Sequence, residues 1–239
     1  MTTKFPGFSP EALKFLRNLA KNNKREWFQP RKQQYDELIK LLMVQLVECL
    51  NSEFAEFAPN YVTVPQKAVF RIYRDTRFSA NKAPYKTHVA AIFPLQNTPK
   101  NYGSAFYFHF NAKELLVFGG VWSPEREELL AIRNLLQESY EEFRELLRDR
   151  RLRSAVGELK GEELTRMPAG FPVDHPAEGL IRKKQWYLET MVDASLITTP
   201  KLLPELVRYF HIMAPVVEFL NRPFAQTAKK SKKMLFLAF

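Results

Sequence analysis

AFYFHFNAKELLVF, residues 105–118, decides the fold class. Phe106, Phe108 and Phe110 alternate with Tyr107 and His109, the period-two pattern of a strand with one buried face. Asn111, Ala112, Lys113 and Glu114 then form a polar turn signal, and the apolar run Leu115, Leu116, Val117, Phe118 follows, so a hairpin is expected. Upstream, residues 89–93 (VAAIF) are a short apolar run, and residues 69–74 (VFRIYR) are β-branched and aromatic with partial alternation. Four strands in a row with no intervening helical stretch imply an antiparallel sheet. Residues 186–192 supply a fifth candidate strand.

Helical signals flank this region. Ser9-Pro10-Glu11 is a start, with a capping hydroxyl, proline at the first helical position and an acid in the first turn. Asn22-Asn23 ends that helix, and Pro30 opens a second one to about Leu50, with Tyr35, Leu38, Ile39, Leu42 and Leu46 on its apolar face. Ser123-Pro124-Glu125 repeats the start signal, and Leu129, Ile132, Leu136, Tyr140, Phe143 and Leu147 continue at helical spacing as one long helix. Residues 157–179 read as irregular. Thr199-Pro200 starts a last helix, expected to kink or break at Pro215. The expected architecture is a single α+β domain over residues 1–224, a mostly antiparallel curved sheet flanked by N- and C-terminal helices. A basic, partly flexible tail over 225–239 follows, in which residues 234–237 are apolar enough to dock.

Composition narrows the classes. A chain of 239 residues with 46% hydrophobic and 26% charged residues is long enough to bury a sizeable core. Eight glycines argue against a repeat barrel or a low-complexity chain. Cys49 is the single cysteine, so no internal disulfide forms. The start MTTKFPGFS lacks the pattern of a signal peptide, and no apolar run approaches the ~20 residues of a membrane span. A cytoplasmic protein with no membrane partner is expected. The net charge of +10 favours anionic partners, nucleic acid included.

The excess charge is concentrated. FRIYRDTRFSANKAPYKTH, residues 70–88, carries Arg71, Arg74, Arg77, Lys82 and Lys86 against one acid, Asp75. If the Phe face of the sheet meets the helices, strand alternation puts Arg71, Tyr73, Tyr107 and His109 on the other face, with His88 beside them. Arginine forks bind phosphate or carboxylate in two-point fashion. Tyr73, Tyr85 and Trp122 are candidates for stacking and His88 for hydrogen bonding. The loop 75–87 is long for a strand connection, and such loops are often functional.

Other chemistries are unsupported. The four histidines, His88, His109, His175 and His211, form no HxH, HxxxH or HExxH pair, so no metal site is expected. GxGxxG, GxxxxGK[ST] and GxSxG are all absent, and no cofactor is expected. The leading expectation is a binding module for an anionic, phosphate-bearing ligand. The alternatives are an enzyme acting on a phosphorylated or carboxylated small molecule, with Asp75 or His88 as acid/base, and a structural ion-pair network in which buried carboxylates neutralise the cations.

The stretch 70–88 and three others, GFSPEALKFLRNLAKNNKREWF (7–28), GGVWSPEREELLAIR (119–133) and MPAGFPVDHPAEGLIRKK (167–184), resemble a widespread family of conserved hypothetical proteins, the domain of unknown function DUF2461. The similarity runs from about Phe5 to Phe219. The resemblance implies one domain and carries over no activity, cofactor or catalytic residue. The family's basic motif falls on Arg71, Arg74, Asp75, Arg77, Lys82, Pro84, Tyr85, Lys86 and His88.

Overall fold

The computed structural model describes residues 4–100 and 102–225. Its sheet has four strands, β1 (Val89–Pro94), β2 (Ala105–Phe110), β3 (Glu114–Val121) and β4 (Trp186–Asp193), antiparallel throughout and in chain order. The expected hairpin is β2–β3. Asn111 shapes its turn, its Oδ1 accepting from the N–H groups of Lys113 at 2.7 Å and Glu114 at 3.2 Å. The register sets Tyr107 between Ile92 and Phe118, and His109 between Ala90 and Leu116.

Among the described residues six helices of seven residues or more accompany the sheet: α1 (Pro10–Lys21), α2 (Leu41–Phe57), α3 (Arg126–Glu138), α4 (Tyr140–Arg148), α5 (Arg150–Val156) and α6 (Leu202–Leu220). The fold is therefore α+β with an open antiparallel sheet. No helix among the described residues is long and apolar enough to cross a membrane.

The core lies on one face of the sheet. Phe93, Phe106, Phe108 and Phe110 all point there and are fully buried. Phe210 of α6 meets Phe54 of α2 at 5.5 Å, Phe93 at 6.0 Å and Phe106 at 5.4 Å between ring centres. Gly119 lets α6 approach β3: a Cβ there would stand 2.9 Å from Met213 Sδ and 3.1 Å from Val217 Cγ2.

The elements depart from the sequence-based expectation in four places. Residues 69–74 are not a strand; they touch their neighbour through two isolated bridges, Val69 with Ala91 and Tyr73 with Tyr85. Val69 to Tyr73 is four steps along the chain, while Tyr85 to Ala91 is six. Two surplus residues on the second side break the ladder, as in a bulge. The second helical stretch begins at Arg25, not Pro30, and passes through a 3₁₀ turn at Gln29–Arg31 and a π turn at Asp36–Lys40 before α2. Pro30 has no N–H to contribute, which suits the tight turn it occupies.

The helix expected over 123–147 starts after Glu125 and is divided at Ser139, whose dihedrals of −121° and 35° are not helical. Its start is held by Glu128, whose Oε2 accepts from the Glu125 N–H at 2.8 Å. Finally, α6 runs through Pro215 without breaking. The neighbours of Pro215, from Met213 to Val217, are buried, and that packing outweighs the missing donor. The basic tail over 226–239 lies outside the described residues.

Phe210→Ala should lower the unfolding free energy by about 3–5 kcal/mol, read as a shifted urea midpoint, because it removes the ring that joins α6 to three others and leaves a cavity.

Candidate functional site

The interrupted ladder beside β1 builds the site. Asn23, just past α1, accepts from the Tyr85 N–H at 3.0 Å and donates to the Tyr85 carbonyl at 2.9 Å. With both backbone groups of Tyr85 held there and the Lys86 N–H donating to the Ile72 carbonyl at 2.8 Å, the surplus falls in the bend at Thr87 and His88. His88 then comes to rest on the sheet face opposite the core, its ring centre 4.8 Å from that of His109. Phe70 reaches the same face. Its N–H donates to the Ala90 carbonyl at 2.9 Å, and its ring lies 6.1 Å from Tyr107.

Two ammonium groups stand over the Phe70 ring. Lys86 Nζ is 4.8 Å and Lys100 Nζ 3.9 Å from its centre, within cation–π range. Lys100 Nζ also donates to the Lys67 carbonyl at 2.9 Å. From this cationic end a groove of about 420 Å³ crosses the outer face of the sheet. Ile92, Ala105, Leu116 and Gly120 floor it, and Tyr107, Phe118 and Trp122 wall it. Its volume falls within the usual range for small-molecule sites. The face is open to water: Trp122 is 59% exposed and Met191, on β4, 65% exposed.

The charges here oppose one another. Burial holds the Lys86 ammonium below its ordinary pKa, and Arg71 adds repulsion. Lys100 is lowered by burial and then by Lys86. His88 is pushed down to about 4 by burial, by His109 and by Lys86. His109 is lowered by burial, with Glu114 and Glu189 pulling the other way. Both imidazoles are therefore neutral at pH 7. The Tyr107 hydroxyl is hydrogen-bonded to His109 Nδ1 at 3.1 Å, and burial raises its pKa to about 12. Among the described residues no carboxylate comes within ion-pair distance of Arg71, Lys86 or Lys100, and Arg77–Asp75 is the one ion pair in residues 70–88.

The expected site residues thus divide. Tyr107 and His109 line the groove, with His88 packed beside His109 and Lys86 over the Phe70 ring, and Trp122 stands at its other end, 6.2 Å from Phe118 and 5.1 Å from Tyr187. Arg71 and Tyr73 face a separate hollow of about 240 Å³ beside Lys32 and Asp36, although Arg71 is near enough to repel Lys86. Tyr85 is buried and stacked on Phe28 at 4.2 Å, so it belongs to the core. Arg74 reaches the Ala83 carbonyl and Ser79 Oγ, both at 3.4 Å; Lys82 donates to the Thr76 carbonyl at 3.0 Å. Arg77 holds both oxygens of Asp75, and these bonds lower the carboxyl pKa. Those four residues tie the loop 75–84 to itself.

Most of the groove lining is not singled out by the sequence, and Phe70, Lys100 and Phe118 show why. Phe70 was assigned to the core face, because a regular strand over 69–74 would carry Arg71 and Tyr73 outward. Lys100 lies in a loop with no periodicity to mark it. Phe118 was read as the end of an apolar run, and its place on the outer face follows only from the register with Tyr107. Among the described residues no group of three or more His, Cys, Asp or Glu side chains is arranged to hold a metal ion.

Residues 11–219 match the family described as "Conserved hypothetical protein (DUF2461)", and the chain belongs to that family. No curated protein and no solved structure matches the chain.

His88 makes a prediction about acid stability. In the unfolded chain it binds a proton near pH 6.5, and in the folded chain only near 4. The unfolded state holds more protons between those values, so stability is full above about pH 6.5 and falls as pH drops toward 4. In His88→Asn the fall in urea midpoint over this window should be smaller than in the parent protein.

Proposed function

We propose that this member of the DUF2461 family binds an anionic, phosphate-bearing ligand in the groove on the outer face of its sheet. Lys86 and Lys100 would contact the anion, Arg71 would add to the field, and His88 and His109 would hydrogen-bond. The observation that carries the reading is the pairing of two partly buried, mutually repelling ammonium groups with no carboxylate among the described residues to neutralise them. Such an arrangement costs stability until an anion relieves it. At Lys100 the Lys67 carbonyl relieves part of that cost. Charge-assisted bonds to phosphate are stronger than neutral ones, and more so in a partly dry groove.

The enzyme reading rests on a different observation. The Tyr107 bond fixes the orientation of His109, leaving a neutral imidazole nitrogen for acid/base work on a phosphorylated or carboxylated small molecule. His109 and His88 suit that role better than Asp75, whose oxygens are taken by Arg77. Cys49 is buried and unpaired, which fits a reducing compartment, and we assign the protein to the cytoplasm on that ground.

Lys86→Met separates binding from a structural role. It should weaken binding of inorganic phosphate, measured calorimetrically at low salt, by about tenfold or more. It should leave the melting temperature unchanged or raised, since it removes a repelled, partly buried charge. A lowered melting temperature with no phosphate binding in the parent protein would instead assign the lysine to the scaffold. Single- and double-stranded oligonucleotides titrated at two salt concentrations decide the nucleic-acid case, because phosphate-backbone contacts require a steep loss of affinity with salt.

A further inference from the structure

We infer that the ligand of this groove is a small amphiphile, one anionic group on a flat aromatic or alkyl body, and not a sugar phosphate or a polynucleotide. This rests on the anion-binding reading of the site and narrows it to a ligand class. The cations gather at one end, where Lys86 and Lys100 stand over Phe70. Ile92 floors the groove on the cationic side of Tyr107, Ala105 lies on the strand of Tyr107, and beyond it the lining is Leu116, Gly120, Phe118 and Trp122. The polar side chains that line it farther along are Ser123 and Glu189, and Glu189 is paired with Lys160 at 3.1 Å.

A polynucleotide needs positive charge spaced along its track, and a second phosphate here would lie on aliphatic side chains or approach the Glu189 carboxylate. A ribose or glycerol body would bury hydroxyls where the floor offers no side-chain partner, and unpaired buried hydroxyls are costly. A flat apolar body of roughly ten to twenty non-hydrogen atoms matches both the lining and the volume. The aromatic faces of Tyr107 and Trp122 can pack on it without demanding polar complements.

The test compares inorganic phosphate, glycerol phosphate, 1-naphthyl phosphate, neutral 1-naphthol and a single-stranded oligonucleotide, by calorimetry on the full chain at low salt. 1-Naphthyl phosphate should bind at least about thirtyfold more tightly than either inorganic or glycerol phosphate, the gain expected from burying two aromatic rings. Leu116→Gln should remove most of that gain, read as a fall toward one in the ratio of 1-naphthyl phosphate to inorganic phosphate affinity. Ile92→Thr serves as a second floor variant if Leu116→Gln fails to fold. Equal affinity for the three phosphates, or tighter binding of the oligonucleotide, overturns the amphiphile and leaves the anion site standing. If no anion binds, or 1-naphthol binds as tightly as its phosphate, the anion reading falls and the inference with it. Sedimentation as a dimer that Trp122→Ser dissociates, with no ligand bound, would assign the face to a second copy of the chain and overturn both.

Discussion

The inner face of the sheet takes the packing of α6 and the end of α2, and this one-sided burial sets the character of everything opposite. Phe93, Phe106 and Phe210 close against one another, and Gly119 brings the α6 side chains down onto β3. A sheet covered in this way can leave its second face to water. Here that face is not polar in the usual way: Ile92, Tyr107, Leu116 and Phe118 lie on it, and among the described residues none from a helix lines the groove they form. Apolar surface left open in a concavity is the common mark of a binding site.

The charges on that face follow from an irregularity, not from a run of sequence. Two surplus residues between the isolated bridges prevent a fifth strand and turn Lys86 and His88 onto the outer face. A regular ladder would have extended the sheet and covered the same surface with Arg71 and Tyr73. The outcome is electrostatically unfavourable. Burial lowers Lys86 and Lys100, Arg71 repels Lys86, and Lys86 repels Lys100. Ordinary core packing elsewhere in the fold offsets such a cost.

Much of this was legible in residues 105–118. The alternation of three phenylalanines with Tyr107 and His109 assigned the two faces of β2 correctly, and the turn at Asn111 placed the hairpin. Ser9-Pro10-Glu11 marked the start of α1 for the reason that proline suits the first helical turn. What failed depends on contacts distant in sequence. Whether residues 69–74 pair as a strand depends on Asn23, 62 positions from Tyr85, and on where a bulge falls. A change of one residue in register exchanges Phe70 for Arg71 at the groove. Lys100 carries no local signal, and Pro215 reads as a breaker to any rule that ignores the packing around it.

The loop that brings Lys100 to the cationic end of the groove is tied to the rest of the fold. Lys100 sits in the loop between β1 and β2, and that loop is fastened at both ends. Before it, the Gln96 N–H donates to the Asn60 carbonyl at 2.7 Å, and its side-chain amide donates to the Val62 carbonyl at 3.0 Å. After it, the buried Asn221 accepts from the Ser104 N–H and donates to the Ser104 carbonyl, both at 2.7 Å, while also donating to the Tyr61 hydroxyl. The Gly103 N–H donates to the buried carboxylate of Glu128 at 2.5 Å. Asn221 follows α6 and Glu128 lies in α3, so the elements that seal the core also fix the loop that carries one of the two ammonium groups. On the proposed reading, a cation held this way would lose little freedom on binding an anion, because the cost of assembling the site would be met at folding.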